Sequence, residues 1–300
     1  MPYELRPLSL AEILDAAFRL VQTQWRTLVG LSFVMQLPLV LMGYWAQWLF
    51  DPFAEPIEPG DELTTGILLE MGGVLTGMSL VYLILYPFVA ASVTASVARF
   101  YLGREFSLGE AARVGLRSLA PLVASYLVYL GAVFGAFLVV GLLGVAAGAL
   151  LGELAPGLGA VGTLLRVGLG LAAFALLFFV LLFVAALASL LPPVSVLESA
   201  GVVGTVRRAF ALAGGARGRV VLVVISAGLL VGIPVGAAQA LIGFVPVLGL
   251  LTWGLLQAVG FAFTTAVAVV LYFDLRCRAE HYDLELLAEQ VEAGSSLADR

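Results

Sequence analysis

Six apolar runs, each long enough to cross a bilayer, alternate along this chain with short segments that carry nearly all of its basic residues. The stretch 220–273 contains no Asp, Glu, Arg or His, so no solvated helix face can be drawn on it. A hydrocarbon core about 30 Å thick takes roughly 20 apolar residues per helix. That stretch therefore fits two crossings, joined at Gly243-Phe244-Val245-Pro246. Applied along the chain, the same rule predicts spans at 28–50, 72–98, 119–151, 166–191, 220–242 and 247–273. The third is longer than one straight crossing, which predicts tilt or an interfacial start near Pro121. The runs are continuous rather than alternating at every second residue, which excludes a membrane β-barrel.

The basic residues orient these spans. All fifteen are arginines, and fourteen fall on one side of the predicted topology. They are Arg6, Arg19 and Arg26 before the first span; Arg99, Arg104, Arg113 and Arg117 between the second and third; Arg207, Arg208, Arg217 and Arg219 between the fourth and fifth; and Arg276, Arg278 and Arg300 after the sixth. Only Arg166 falls on the other side, where the first loop carries Asp51, Glu55, Glu58, Asp61, Glu62 and Glu70 without a basic partner. Arginine and lysine collect in cytoplasmic loops, so both chain ends are expected in the cytoplasm. Residues 1–27 are too polar for the core of a cleavable signal, and the first span is expected to act as an uncleaved one.

A repeat underlies the alternation. Ser9-Leu-Ala-Glu12, Ser107-Leu-Gly-Glu110 and the stretch from Ser199 through Arg207-Arg208-Ala-Phe each open a polar-apolar segment ahead of a pair of spans. In the first two, the serine and glutamate can satisfy each other's free backbone N–H groups at a helix start; in the third, Glu198 can complement the helix N-terminus. Leu10, Ile13, Leu14, Ala17, Phe18 and Val21 share one stripe of the first segment. The expected architecture is thus all-α: six transmembrane helices plus three cytoplasmic-side interfacial amphipathic helices, in a threefold repeat of helix-hairpin units (about 6–98, 104–191 and 197–275). One membrane domain spans 1–278, with a short polar tail at 279–300. Amphipathic helices of this kind place arginines beside anionic headgroups, which makes Arg113, Arg117, Arg207 and Arg208 the lipid-headgroup candidates.

Composition agrees with this class. Hydrophobic residues make up 62% of the chain, charged ones 12%, and the mean hydropathy is +1.08, whereas soluble proteins are about one quarter charged. The net charge of −5 offers nothing to nucleic acid. The single cysteine, Cys277, excludes an intrachain disulfide.

No ionisable residue lies deep in a predicted span; Arg166 and Asp274 mark span ends. The intramembrane polar candidates are Gln36, Gln239 and Gln257, with Gln47 and threonines such as Thr94, Thr252, Thr264 and Thr265. Gln239 and Gln257 flank the last hairpin turn, which hints at pairing. Gly144, Gly148 and Gly152, and again Gly228, Gly232 and Gly236, recur at four-residue spacing; such rows let backbones approach, and packing inside the monomer is the expected use. Pro38, Pro87, Pro192, Pro193 and Pro234 are expected to kink their spans.

Catalysis finds no support. His281 is the one histidine, the absence of lysine excludes a phosphate-binding loop of the Gly-Lys type, and no metal or cofactor is expected. Glu198 and Asp274 could meet as carboxylates, but both read as span ends.

The opening Arg6-Pro-Leu-Ser9-Leu-Ala-Glu12-Ile-Leu-Asp15-Ala-Ala-Phe18-Arg19, the Pro192-Pro193-Val-Ser-Val-Leu-Glu198 stretch, Arg207-Arg208-Ala-Phe-Ala-Leu, and Leu271-Tyr272-Phe273-Asp274-Leu275-Arg276 with Tyr282-Asp283-Leu284-Glu285 resemble bacterial proteins named for the membrane domain of glycerophosphoryl diester phosphodiesterase. The resemblance implies a six-helix integral protein of the bacterial inner membrane. In fused members hydrolysis belongs to a separate soluble barrel with paired histidines, so this chain is expected to keep the membrane part alone. The function expected first is a non-enzymatic membrane-assembly or lipid-associated accessory protein, partnered by membrane lipids and by other membrane proteins or copies of itself. The alternative is a carrier for a neutral or amphiphilic solute, which a cavity rimmed by Gln36, Gln239 or Gln257 would favour and a solid, glycine-packed bundle would disfavour.

Overall fold

The computed structural model describes residues 6–50, 65–104, 107–154, 159–198, 200–242 and 245–280, and these are all-helical. In chain order the helices are α1 (Leu10–Thr23), α2 (Trp25–Phe50), α3 (Thr65–Tyr101), α4 (Leu108–Leu154), α5 (Gly159–Ala188), α6 (Leu191–Glu198), α7 (Gly201–Gly214), α8 (Arg217–Ile242) and α9 (Pro246–Glu280). Hydrocarbon offers no partner to a backbone N–H or C=O, so a long apolar run closes its hydrogen bonds within one helix. Five helical stretches are long and apolar enough to cross a membrane, and six if the two bent pieces of α2 form one span. The fold is that of a multi-pass membrane protein.

Helix starts and stops follow local chemistry. Ser9 and Glu12 form the expected reciprocal cap of α1. Ser107 and Glu110 do the same for α4: Glu110 N–H donates to Ser107 Oγ at 3.3 Å, and Ser107 N–H donates to Glu110 at 2.9 Å. α7 begins without a side-chain cap. α3 ends at Gly103, whose φ of 72° suits a residue with no Cβ. Gly103 N–H donates to Phe100 O and Arg104 N–H to Arg99 O, the paired bonds that turn a chain out of a helix.

Two expectations change. The segment 107–117 does not form a separate helix: α4 runs unbroken for 47 residues, through Gly109, Gly115 and Pro121. α1 and α7, by contrast, are separate from the helices that follow. The prolines also act differently from one another. α2 bends by 41° between 25–34 and 36–42, next to the Val34 carbonyl that the Pro38 ring crowds. Pro192 and Pro193 sit in the first turn of α6, where proline replaces no helical N–H bond.

α9 is the hub: it packs against α8, α2, α1 and α3. The four arginine-bearing segments meet around its C-terminal end. There Tyr101, at the end of α3, stacks on Phe273 at 5.3 Å, while Leu8, Arg208 and Arg219 reach its last turns. The acidic residues 51–62 and the tail with His281 and Arg300 lie outside the described residues.

Candidate intramembrane binding cavity

Two polar sites occupy different levels of the bundle. At the arginine-rich end, Asp274 is fully buried and accepts from Leu8 N–H at 2.7 Å, Arg219 Nε at 3.0 Å and Arg278 Nε at 3.1 Å. Arg219 and Arg278 also donate to Leu8 O, so one carboxylate and two guanidiniums hold both backbone groups of Leu8. Beside it, Glu198 accepts from Arg208 Nε at 2.6 Å and Tyr272 OH at 2.7 Å, and Arg208 also pairs with Glu280. Burial alone would lower the Arg208 pKa, but these two carboxylates outweigh it and hold the guanidinium above its ordinary value. Glu198 and Asp274 thus do not meet as a carboxylate pair; each is neutralised by its own arginines. Asp274 closes a span, as read, yet as a buried anchor rather than an exposed marker. This site ties helices together.

The second site lies along the spans. Thr264 and Gln257 stand ten and seventeen residues before Asp274, about 15 and 25 Å along α9 at 1.5 Å per residue. Here a chamber of about 390 Å³ is bounded by Gln36 on α2, Tyr82 and Tyr86 on α3, and Trp253, Gln257 and Thr264 on α9. The bend of α2 falls immediately before Gln36. Tyr86 also lines two adjoining spaces: one of about 190 Å³ reaching Thr94, Ser189 and Pro192, and one of about 450 Å³ between Met42, Leu75 and Met78. Tyr86 packs edge-on against Tyr126 and Phe261, with ring centres at 5.7 and 5.9 Å, so aromatic walls separate the three spaces.

Hydrogen bonding in this region is incomplete. Gln36 Nε2 and Thr94 Oγ1 are buried and have no partner; buried amide and hydroxyl groups are normally paired. Thr264 Oγ1 instead donates back to Gly260 O at 2.9 Å. No charged side chain lines the chamber among the described residues. Its chemistry is that of neutral donors, acceptors and aromatic faces, suited to an uncharged ligand with acceptor oxygens.

The predicted site residues separate accordingly. Gln36 and Gln257 come together in the chamber. Gln239 does not join them: it lies on α8, its Oε1 is buried without a partner, and no hydrogen bond links it to Gln257. Gln47 is on α2, and its side chain lies outside those described. Arg113, Arg117 and Arg207 are exposed, whereas Arg208 is drawn into the ion pairs above. The glycine rows do not pack inside the monomer. A methyl group placed on Gly144, Gly148, Gly228, Gly232 or Gly236 would meet nothing within 4 Å, while Gly152 lies outside those described. Close helix contacts fall elsewhere, at Gly115, Gly254 and Gly260, because spacing alone does not say which face turns inward.

Sequence reasoning missed the tyrosines. Tyr82 and Tyr86, four residues apart, share one helix face. Tyrosine favours the membrane–water interface, with its hydroxyl wet; a pair well inside a span is the signal that pointed here. No family model, curated protein or solved structure matches this chain.

Proposed function

We propose that this chain is a non-enzymatic, multi-pass membrane protein that takes up an uncharged amphiphile within its helix bundle and carries it. The chamber supports this reading above all, as a space lined by Gln36 and Gln257 with two tyrosines, the buried Gln36 Nε2 having no hydrogen-bond partner. A cavity at these glutamines and outward-facing glycine rows together reverse the order of the two expectations drawn from the sequence. The finer expectations join the proposal: a bacterial inner-membrane location with both ends cytoplasmic, a threefold repeat with amphipathic helices at the interface, and kinship with the membrane-domain family named above.

The test is retention. Full-length protein is reconstituted in nanodiscs made from a lipid extract, and the retained neutral lipids are identified by mass spectrometry. Gln257→Leu removes one hydrogen-bonding group, and loss of about 1.4 kcal/mol predicts about tenfold weaker retention. Equal retention by wild type, variant and a protein-free disc would remove the reading.

The accessory role remains as a second reading, favoured by exposed Arg113, Arg117 and Arg207 and by Arg26 stacked over exposed Trp25 at 5.6 Å. Aromatic and cationic side chains of this kind anchor helices at headgroups. Copies of this chain meeting through the outward glycine rows would suit that reading.

A further inference from the structure

We propose that the chamber is half of one amphiphile site, whose other half is an apolar crevice beneath α1, and that the ligand enters sideways from the bilayer. The inference rests on the reading above and specifies its ligand: a single-chain lipid with an uncharged, oxygen-bearing head, of the monoacylglycerol type. The crevice, about 450 Å³, lies between α1, α8 and α9, with Leu14 and Phe18 on one side and Pro234, Val259 and Phe263 on the other. Phe18 is 56% exposed at its lip. Asp15, which also lines it, pairs with Arg19 at 2.9 Å, both side chains being open to the surroundings. This is a slot for a hydrocarbon tail, with its only charges at the rim.

Crevice and chamber share a wall. Val231 and Gly260 line both spaces. Gly260 is buried, and a Cβ built on it would stand 2.5 Å from Val231 Cγ1, so the valine side chain sits in the notch that the missing side chain leaves. The Val231 side chain against Gly260 is thus the part of the wall common to both spaces, and the proposed passage runs there. Pro234 lies three residues further along α8 and leaves the Leu230 carbonyl without its helical donor, which makes α8 deformable at the turn that carries Val231. Joined, the two spaces have the polarity of an amphiphile: apolar outside, and glutamine amides with tyrosines inside. The chamber's lining among the described residues is uncharged, which selects an uncharged head, and the amides of Gln36 and Gln257 with the hydroxyls of Tyr82 and Tyr86 select one bearing oxygens. Their volumes, about 390 and 450 Å³, fall in the range of small-ligand sites.

The test uses the full chain in phosphatidylcholine nanodiscs and a monoacylglycerol carrying a diazirine in its acyl chain. After irradiation, the label is expected on peptides around Phe18, Val235 and Val259. Excess unlabelled monoacylglycerol should displace it and excess phosphatidylcholine should not. Val231→Trp, which plugs the passage, should lower labelling about tenfold, and Val231→Ala, which widens it and leaves the fold intact, should raise it. Labelling confined to the mouth at Met42, Leu75 and Met78, insensitive to both variants, would overturn the lateral route but keep the chamber. Equal competition by phosphatidylcholine would reduce the crevice to ordinary lipid contact and overturn the inference. Labelling no greater than on heat-denatured protein would overturn both the inference and the reading beneath it.

Discussion

The half of the bundle around the C-terminal end of α9 and the half formed by the long arms of α4 and α5 are both apolar enough to cross a membrane and are packed very differently. In α9, 61% of the most hydrophobic window is buried; in α4, none of it is. Val89, Val93 and Val97 of α3 and Val267, Val270 and Leu271 of α9 are fully or nearly enclosed, whereas Phe134, Val145, Leu164 and Phe174 lie open. Hydrophobicity does not produce the packing, since the open spans are the more hydrophobic and lipid tails as apolar as leucine give helices no reason to associate. What differs is the presence of specific ties. The packed half has the Asp274 and Glu198 clusters and a close α3–α4 approach at Gly115; the open half has neither. Three of the cavities described above meet at Tyr86, while the crevice beneath α1 lies apart from it, between α1, α8 and α9.

The strongest way to break the comparison is at Asp274. Asp274→Asn removes the charge facing Arg219 and Arg278 inside the packed half. Breaking a buried ion pair from one side costs about 3–5 kcal/mol, so thermal unfolding in detergent should shift sharply downward. A variant as stable as wild type would mean that the clamp does not hold this half together.

Gly115→Ala and Gly148→Ala sharpen the contrast with one chemical change made twice. A methyl on Gly115 would press on Ser92 and on the Phe88 ring, 3.0 Å away, and overpacking of this kind costs about 1–3 kcal/mol. The same methyl on Gly148, inside α4, meets nothing within 4 Å and should leave the monomer no less stable, with a gain of up to about 1 kcal/mol from the helix preference for alanine. Equal effects would erase the distinction between the halves. A loss at Gly148 that appears only in dimeric fractions would instead assign the outward glycines to self-association.

Smaller effects follow at the edges of the packed half. Tyr272→Phe deletes one hydrogen bond to Glu198, which keeps Arg208, and should cost about 1 kcal/mol, read as a modest drop in the same unfolding assay. Glu12 is the mildest case. The Ser9 backbone N–H and the Arg6 guanidinium hold its carboxyl down at about 2. Because the folded value lies below the ordinary one of 4.5, its support for α1 is whole above that pH and fades as the pH falls toward 2. Carboxyl NMR should show this titration, and Glu12→Gln should abolish the associated pH dependence of α1 helicity.

Much of the architecture was legible in residues. The apolar runs were read as spans, Ser9–Glu12 and Ser107–Glu110 as helix starts, and the arginine segments as one end of the bundle; all depend on local or nearly local physics. The candidate site was half legible. Gln36 and Gln257 were singled out as polar groups within spans and do share a chamber. Gln239 has the same chemistry and lies outside it, since facing a cavity depends on a helix rotation that an unbroken apolar run does not encode. Tyr82 and Tyr86 passed unnoticed because tyrosine is ordinary in membrane helices until its depth is known.

The sequence by itself determined that the chain is an all-helical, multi-pass membrane protein, the shared end of its basic segments and two of the caps, because bilayer thickness, backbone hydrogen bonding and the distribution of arginine act along the chain. Only the tertiary structure decided which faces meet. It buried Asp274 among arginines from other helices, turned the glycine rows outward, left a chamber at Gln36 and Gln257, and set Val231 against Gly260. Helices surrounded by lipid are all equally welcome there, so their mutual arrangement is chosen by a few contacts between distant residues.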